Sequence, residues 1–328
     1  MKNSARASDP KEAPSALAVG LDIGGTMTKL GLVDRAGRVH SAREFPTRSS
    51  EFTRDAFFER LFAEIRHLMS MAPAPVIGIG ACFLGWIDPA RTGPFLCMNL
   101  PELHGTNVRG LLENEFHLPV VVNDDVSAHT LAEYTYGSGR GARRFLALAM
   151  GTGLAAGVII DGQPLRFTGG CCGDTGHLIL RPDSDIVCSA GCHGCGEALI
   201  GTENIARLGR SAYGREITAR ELIADARSGR EPAVSVMREI GAYTGELLAS
   251  LAAIFLPEVI CLVGGTARAG TVLLEAVRAR FEALVGTYHR NYARLAGDYY
   301  RGVQIRLGEL TGETGVIGST VELFTTHP

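Results

Sequence analysis

The chain has 328 residues, enough for two domains with cores of their own, and a formal net charge of −3. Its lysines and arginines are scattered, which leaves no basic face for nucleic acid, and no apolar run reaches membrane-span length unbroken by charge or glycine. Residues 1–15 are polar and lack the apolar core of a signal peptide, so the 8 cysteines are expected in a reducing cytoplasm as metal ligands or buried thiols.

Beyond that polar tail, apolar Leu17–Leu21 and Leu30–Val33 flank Asp22-Ile23-Gly24-Gly25-Thr26-Met27-Thr28-Lys29. Two apolar runs meeting at Gly-Gly-Thr read as a hairpin. Paired glycines permit positive φ and carry no Cβ, so backbone N–H groups there can close on an anion. Thr26 adds a hydroxyl donor, and Asp22 can hold a hydrated Mg²⁺ beside phosphates. A third strand is expected over 38–45. Phe52, Phe57, Phe58, Leu61, Phe62, Ile65, Leu68 and Met69 recur at helical spacing within 51–71, the core face of a helix that Pro73 and Pro75 terminate. A buried strand over 76–82 follows, then a loop through Gly85–Asp88 and Asn99–Pro101 long enough to line a cleft.

A short helix (108–116) leads to a strand (119–122) that ends in Asn123-Asp124-Asp125, ahead of a helix over 126–136. The carboxyl end of a strand in an open α/β sheet is where ligands bind. An Asp there can also cap the helix, and two acids in a row allow one of each role. At 145–162 an apolar run again enters a glycine–threonine tip, Gly151-Thr152-Gly153, and another leaves it. The interval from Thr26 to Gly31 equals that from Thr152 to Gly157. Equal spacing indicates an internal duplication in which each of two lobes presents one phosphate-gripping hairpin, an arrangement suited to a nucleoside triphosphate. Two unrelated core hairpins would give the same local pattern.

Five of the eight cysteines fall between 171 and 195, around Asp174-Thr-Gly-His177 and Cys188-Ser-Ala-Gly-Cys192-His-Gly-Cys195-Gly-Glu197. Helices are expected over 198–209, 218–228, 234–255, 271–284 and 314–325, with strands at 259–263, opening into Gly264-Gly265, and at 303–306.

These motifs, in this order, resemble sugar kinases of the ROK family (repressor, open reading frame, kinase). The resemblance implies an α/β, duplicated actin-like (ribonuclease-H-like) ATPase fold, with lobes over 16–123 and 124–313, a final helix (314–328) packed back on the first, and assembly as a homodimer. It implies ATP and Mg²⁺ on Asp22, Gly24, Gly25, Thr26, Lys29, Gly151, Thr152, Gly153, Gly264 and Gly265. It places a hexose against Asn99, Asn123, Asp124, Asp174, His177 and Glu197, with Asn123 orienting the sugar and Asp124 as general base. It also implies a structural Zn²⁺; the donor set present is His177, Cys188, Cys192 and Cys195, a soft-ligand set that suits this ion.

Three sugar-site positions depart from the family pattern. Asp174 stands where Glu is usual, and in Asn-Asp-Ala-Asn the Ala becomes Asp125 and the second Asn becomes Val126. The cysteine loop departs as well, with Ala190 at the family's second cysteine and Cys192 two residues later. The departures leave substrate identity more open than reaction type, so an N-acetylated hexose, or a silent sugar or nucleotide sensor, stands beside glucose. Cys-x3-Cys-x2-Cys is also an iron–sulfur spacing, but the flanking Gly-His and Cys-Gly-Glu favour zinc. A repressor of the same family would need a DNA-binding domain ahead of Asp22, for which about twenty residues are too few.

Overall fold

The structure is a computed structural model that describes residues 14–48, 52–97, 99–167, 172–310 and 312–326. Residues 1–13 of the expected tail and Cys171 lie outside them. The first lobe opens with three antiparallel strands, β1 (Leu17–Ile23), β2 (Met27–Asp34) and β3 (Val39–Pro46). Helix α1 (Arg54–Ser70) starts where Thr53 accepts the Ala56 N–H, and buries Phe57, Phe58, Leu61, Ile65 and Leu68. Strand β4 (Val76–Phe83) then lies parallel to β1. A small hairpin, β5 (Trp86–Ile87) and β6 (Pro94–Leu96), and helix α2 (Val108–Phe116) precede β7 (Val120–Asp124). The sheet order is β3-β2-β1-β4-β7.

Helix α3 (Asp125–Tyr136) leads to β8 (Arg144–Met150), β9 (Leu154–Ile160) and β10 (Gln163–Pro164). Helices α4 (Gly196–Ile200), α5 (Thr202–Tyr213), α6 (Ala219–Arg227) and α7 (Glu231–Phe255) follow. The chain closes with β11 (Val259–Val263), α8 (Thr271–Leu284), α9 (Thr287–Ala296), β12 (Gln304–Leu307) and α10 (Thr314–Thr326). The second sheet, β10-β9-β8-β11-β12, repeats the plan of the first: three antiparallel strands and two parallel additions. Both hairpins and the duplication expected from the equal spacing are present.

The lobes exchange helices. Helix α3 leaves the first sheet and packs on the second, while α10 leaves the second and packs on the first. Glycine makes both seats. A Cβ on Gly20 or Gly80 would come within 2.1 or 2.0 Å of α10 carbonyl oxygens, and one on Gly157 within 2.0 Å of the Thr130 hydroxyl in α3. Of the matched positions of the repeat, Gly157 thus faces α3, while Gly31 lies against Ser41 and Val39 of β3 as well as Val316 of α10.

Two helices depart from the sequence pattern. The run expected over 198–209 breaks at Gly201, because α5 must start where the Thr202 N–H reaches the Gly151 carbonyl at 3.2 Å. Helix α9 leaves Leu295 and Tyr292 exposed, so it has no buried stripe to read. Among the described residues no helix is long and apolar enough to cross a membrane.

Candidate active site

The first phosphate hairpin closes with the Gly24 N–H on the Met27 carbonyl at 3.1 Å, and Thr47 braces it by donating to the Gly24 carbonyl at 2.7 Å. Neither Gly24 nor Gly25 has positive φ. What the site needs of Gly25 is the missing Cβ, which would sit 2.8 Å from the Cβ of Asn99. Asn99 is therefore exposed over the hairpin tip, on the rim with Thr26, while Lys29 is half-buried on β2. In the second hairpin the Gly151 N–H meets the Gly153 carbonyl at 3.0 Å and Thr152 is exposed. Gly264 does take a left-handed turn, φ 93°, pressed against the Met150 backbone, and Gly265 beside it faces open space, as does Gly151. These bare backbone surfaces are cradles that a side chain would fill, and they fit the phosphates and sugar of a nucleotide.

Between the hairpins lies a cluster of acids. Asp22 on β1 is half-buried against Gly315 at the start of α10 and accepts from the Cys82 thiol at 3.7 Å. Asp124 and Asp125 divide the two roles open to them. Asp124 is 3% exposed and caps α3, its oxygens accepting the Ser127 N–H at 2.8 Å and the Ser127 hydroxyl at 2.5 Å. Burial raises its carboxyl, against those hydrogen bonds and the charge of Arg166. Asp125 is half-buried, and its carboxyl is pushed up to about 7 by burial, then by the charges of Asp124 and Asp22. Burial and the same three acids push the Cys82 thiol well above its ordinary range. Burial also lowers the His129 imidazole, although Asp22 and Glu133 pull it up. A pocket that crowds carboxylates this way fits a hard divalent cation such as Mg²⁺.

Asn123, expected to orient the sugar, is 0% exposed in this structure and sits in a charged network. Its oxygen accepts from Arg91 at 2.8 Å and Arg166 at 3.0 Å, and its nitrogen donates to Glu322 at 3.0 Å. Asp124, the expected base, meets Ser127 through both carboxylate oxygens at the start of α3. The adjacent Asp125, which the family pattern would make Ala, adds a second carboxyl beside it.

The cysteine loop folds around Gly191 and Gly194, both in left-handed conformations, so that Cys192 returns toward Cys188. Ligand atoms of His177, Cys188 and Cys192 lie within 4.8 Å of one another. The His177 Nδ1 stands 3.5 Å from the Cys188 sulfur and 3.6 Å from that of Cys195. The displaced cysteine thus rejoins the cluster, and two or three thiols with one imidazole fit Zn²⁺. On its other side, the His177 Nε2 faces an oxygen of the exposed Asp174 at 3.6 Å. Glu197 closes the wall: one oxygen accepts the Ser189 hydroxyl at 2.8 Å and the other the Leu154 N–H of the second hairpin at 3.3 Å. A cavity of about 330 Å³ joins Thr152, Cys188, Ser189 and Glu197.

Sequence reasoning did not name the partners Arg91, Arg166, Glu322 and His129. For the cap a signal existed: an Asp followed three residues later by a helix-turn donor, Asp124 to Ser127.

Comparison with known proteins gives a family and a fold. The ROK family profile matches residues 18–318. A glucokinase of Halalkalibacterium halodurans is 28% identical over 321 residues, covering 92% of each chain. Among solved structures, the ROK hexokinase of Thermus thermophilus superposes with a TM-score of 0.78 at 29% identity, covering 94% of this chain and 98% of that one. A ROK family glucokinase of Streptomyces griseus in complex with glucose and AMPPNP gives 0.73 at 26%, covering 92% and 97%.

Proposed function

The chain belongs to the ROK family, with its actin-like ATPase fold, and on that premise we propose that it transfers the γ-phosphoryl group of ATP to a hydroxyl of a hexose. The default acceptor is the 6-hydroxyl of glucose. Phosphoryl transfer asks little covalent chemistry of the protein; it asks for position and charge. Gly24, Gly25 and Thr26 on one side, with Gly151, Thr152 and Gly153 on the other, hold the phosphates, while Gly264 and Gly265 leave room for the nucleoside. Lys29 adds positive charge near them. Asp22 holds the Mg²⁺ that neutralises charge developing on the phosphates.

Asp125 takes the proton of the acceptor hydroxyl. The observation that carries the reading is its half-buried carboxyl beside Asp22, raised to about 7, because a general base works best with a pKa near the working pH. Asn99, Asp174, His177 and Glu197 surround the remaining hydroxyls. His177, Cys188, Cys192 and Cys195 hold a structural zinc that fixes the wall carrying Glu197. The homodimer implied by the family resemblance belongs to the same reading and is checked by light scattering.

The short Asp174 supports a second acceptor. Its carboxylate lies about 1.5 Å behind that of a glutamate, one bond length, and the space suits an N-acetyl substituent. ADP release measured with ATP·Mg²⁺ against a panel of hexoses and N-acetylated hexoses tests both. Turnover of none of them would leave a sugar or nucleotide sensor in place of a kinase.

A further inference from the structure

Strand β7, which ends at Asp124 and leads straight into Asp125, lies at the edge of the first sheet with β4 as its neighbour. An edge strand carries backbone groups that need partners from outside the ladder. Here an arginine supplies one. Arg91, in the loop between β5 and β6, donates from Nε to the Val122 carbonyl at 2.9 Å. One terminal nitrogen of its guanidinium meets the Asn123 oxygen at 2.8 Å and Glu322 of α10 at 2.5 Å. The other meets the second Glu322 oxygen at 3.2 Å. A single planar group thus holds the strand backbone, the side chain ahead of Asp124 and the helix packed on the sheet.

The loop is built to present this group. Arg91 adopts a left-handed backbone, φ 55°, which a residue with a side chain keeps only where its surroundings enforce it. Asp88 does so. Its carboxylate accepts the N–H groups of Ala90 at 2.9 Å, Thr92 at 2.9 Å and Gly93 at 2.7 Å, and its carbonyl accepts the Arg91 N–H at 2.8 Å. At the other end, burial pushes the Glu322 carboxyl up, yet the hydrogen bond and charge of Arg91, with the charge of Arg166, hold it below its ordinary value. Arg166 adds a second guanidinium from beyond β10, 3.0 Å from the Asn123 oxygen and 3.2 Å from Glu322. An ionised, half-buried carboxylate facing a forked donor through both oxygens is a directional partner, not a loose surface pair.

We propose that Arg91 is a positioning residue of the acceptor site: it closes the edge of β7 where a further strand would, and so fixes the strand end that presents Asp124 and Asp125. The kinetic consequence rests on the kinase reading, but the clamp itself is a property of the free protein. A misplacement near 1 Å costs on the order of 100-fold when reacting groups must align. The phosphate hairpins lie apart from the clamp, one on β1 and β2, beyond β4, and the other in the second sheet. The loss therefore falls on transfer to the sugar and spares ATP binding.

Arg91→Met keeps the length of the side chain and removes its fork. In the full-length protein, kcat with glucose, or with an N-acetylated hexose if that is the better acceptor, should fall roughly 10–100-fold while the KM for ATP stays within about twofold. Without any ligand, amide hydrogen exchange over 120–127 should quicken while that over 144–150 in the second sheet keeps its rate. Arg91→Lys retains the charge but cannot reach the backbone and both Glu322 oxygens at once. It should lie between the Met variant and wild type, and it decides the question if the Met variant does not fold. A wild-type kcat in the Lys variant, or in a folded Met variant, would overturn the proposal. So would equal losses for sugar and ATP in step with a lower Tm, which would make Arg91 a stability residue only. If the wild-type protein phosphorylates no sugar, the kinase reading falls and exchange still decides the clamp: unchanged rates over 120–127 in the variants would remove it.

Discussion

Asp124 accepts both the backbone N–H and the hydroxyl of Ser127, at 2.8 and 2.5 Å. A carboxylate bound twice by one residue in the first turn of α3 is committed to starting that helix. On the proposed reading, the proton goes to its neighbour. Asp125→Asn should therefore reduce turnover by about 10²–10⁴-fold with the fold intact, the usual share of a general base. Asn caps helices as well as Asp, so Asp124→Asn should stay within about tenfold of wild type, whereas Asp124→Ala should cost about 1 kcal/mol of stability. Steady-state kinetics and urea unfolding of the three variants check this; equal kinetic losses at 124 and 125 would return the base role to Asp124.

The raised carboxyl of Asp125 makes a second, opposite prediction for stability. In the folded protein it is pushed up to about 7, above the ordinary aspartate value of 3.8. Between those two values the folded state holds a proton that the unfolded state has released, so the residue's contribution declines as pH rises through this window. Without Mg²⁺, Asp125→Asn should raise Tm at pH 8, and the gain should shrink toward pH 5 and vanish below the unfolded pKa. In the wild-type enzyme kcat/KM should climb with pH as the base loses its proton. A Tm difference independent of pH would show that Asp125 is ordinarily ionised.

Cys192 stands two residues from the family's cysteine position yet joins His177 and Cys188 within 4.8 Å. Protein purified without chelators should carry stoichiometric zinc, and Cys192→Ala should weaken its retention and raise the KM for sugar through the loop that carries Glu197. Losses on the order of 10–100-fold in metal affinity are usual even for residues that only support a ligand, so this variant should exceed that range. Elemental analysis reads the outcome directly, and zinc-free wild-type protein would overturn it.

Asp174→Glu restores the longer side chain beside His177. If an acceptor hydroxyl lies there unmet, the variant should gain about 0.5–1.5 kcal/mol in kcat/KM for glucose relative to an N-acetylated hexose, the worth of one hydrogen bond. Equal losses on both sugars would mean that the 3.6 Å approach of Asp174 to His177 is already the working arrangement.

The fold was legible because its strongest constraints are local. Two glycine–threonine tips at matched spacing announce two lobes, and the five-residue step to Gly31 and Gly157 marks where a helix must press on each sheet. The cysteine cluster was legible for the same reason: its donors lie close in sequence and glycines bend the chain between them. Which of Asp124 and Asp125 takes the proton was not legible, because the motif Asn123-Asp124-Asp125 offers two acids in a row and the capping bond to Ser127 is seen only in the fold. The Arg91–Glu322 pair could not be read at all: its members lie 231 residues apart, and no periodicity links them.

The exchanged helices set an order of assembly. The first sheet is complete in sequence by Asp124, yet the grooves over Gly20 and Gly80 are filled by residues of α10, which begins at Thr314. During synthesis the opening lobe must wait, with one face of its sheet uncovered, until almost the whole protein has left the ribosome. A fragment ending after the first lobe would keep that face exposed for good, and its natural fate is aggregation or pairing with a separately supplied closing helix. The last thirteen residues of the described chain are thus the latch that finishes the first domain to be made.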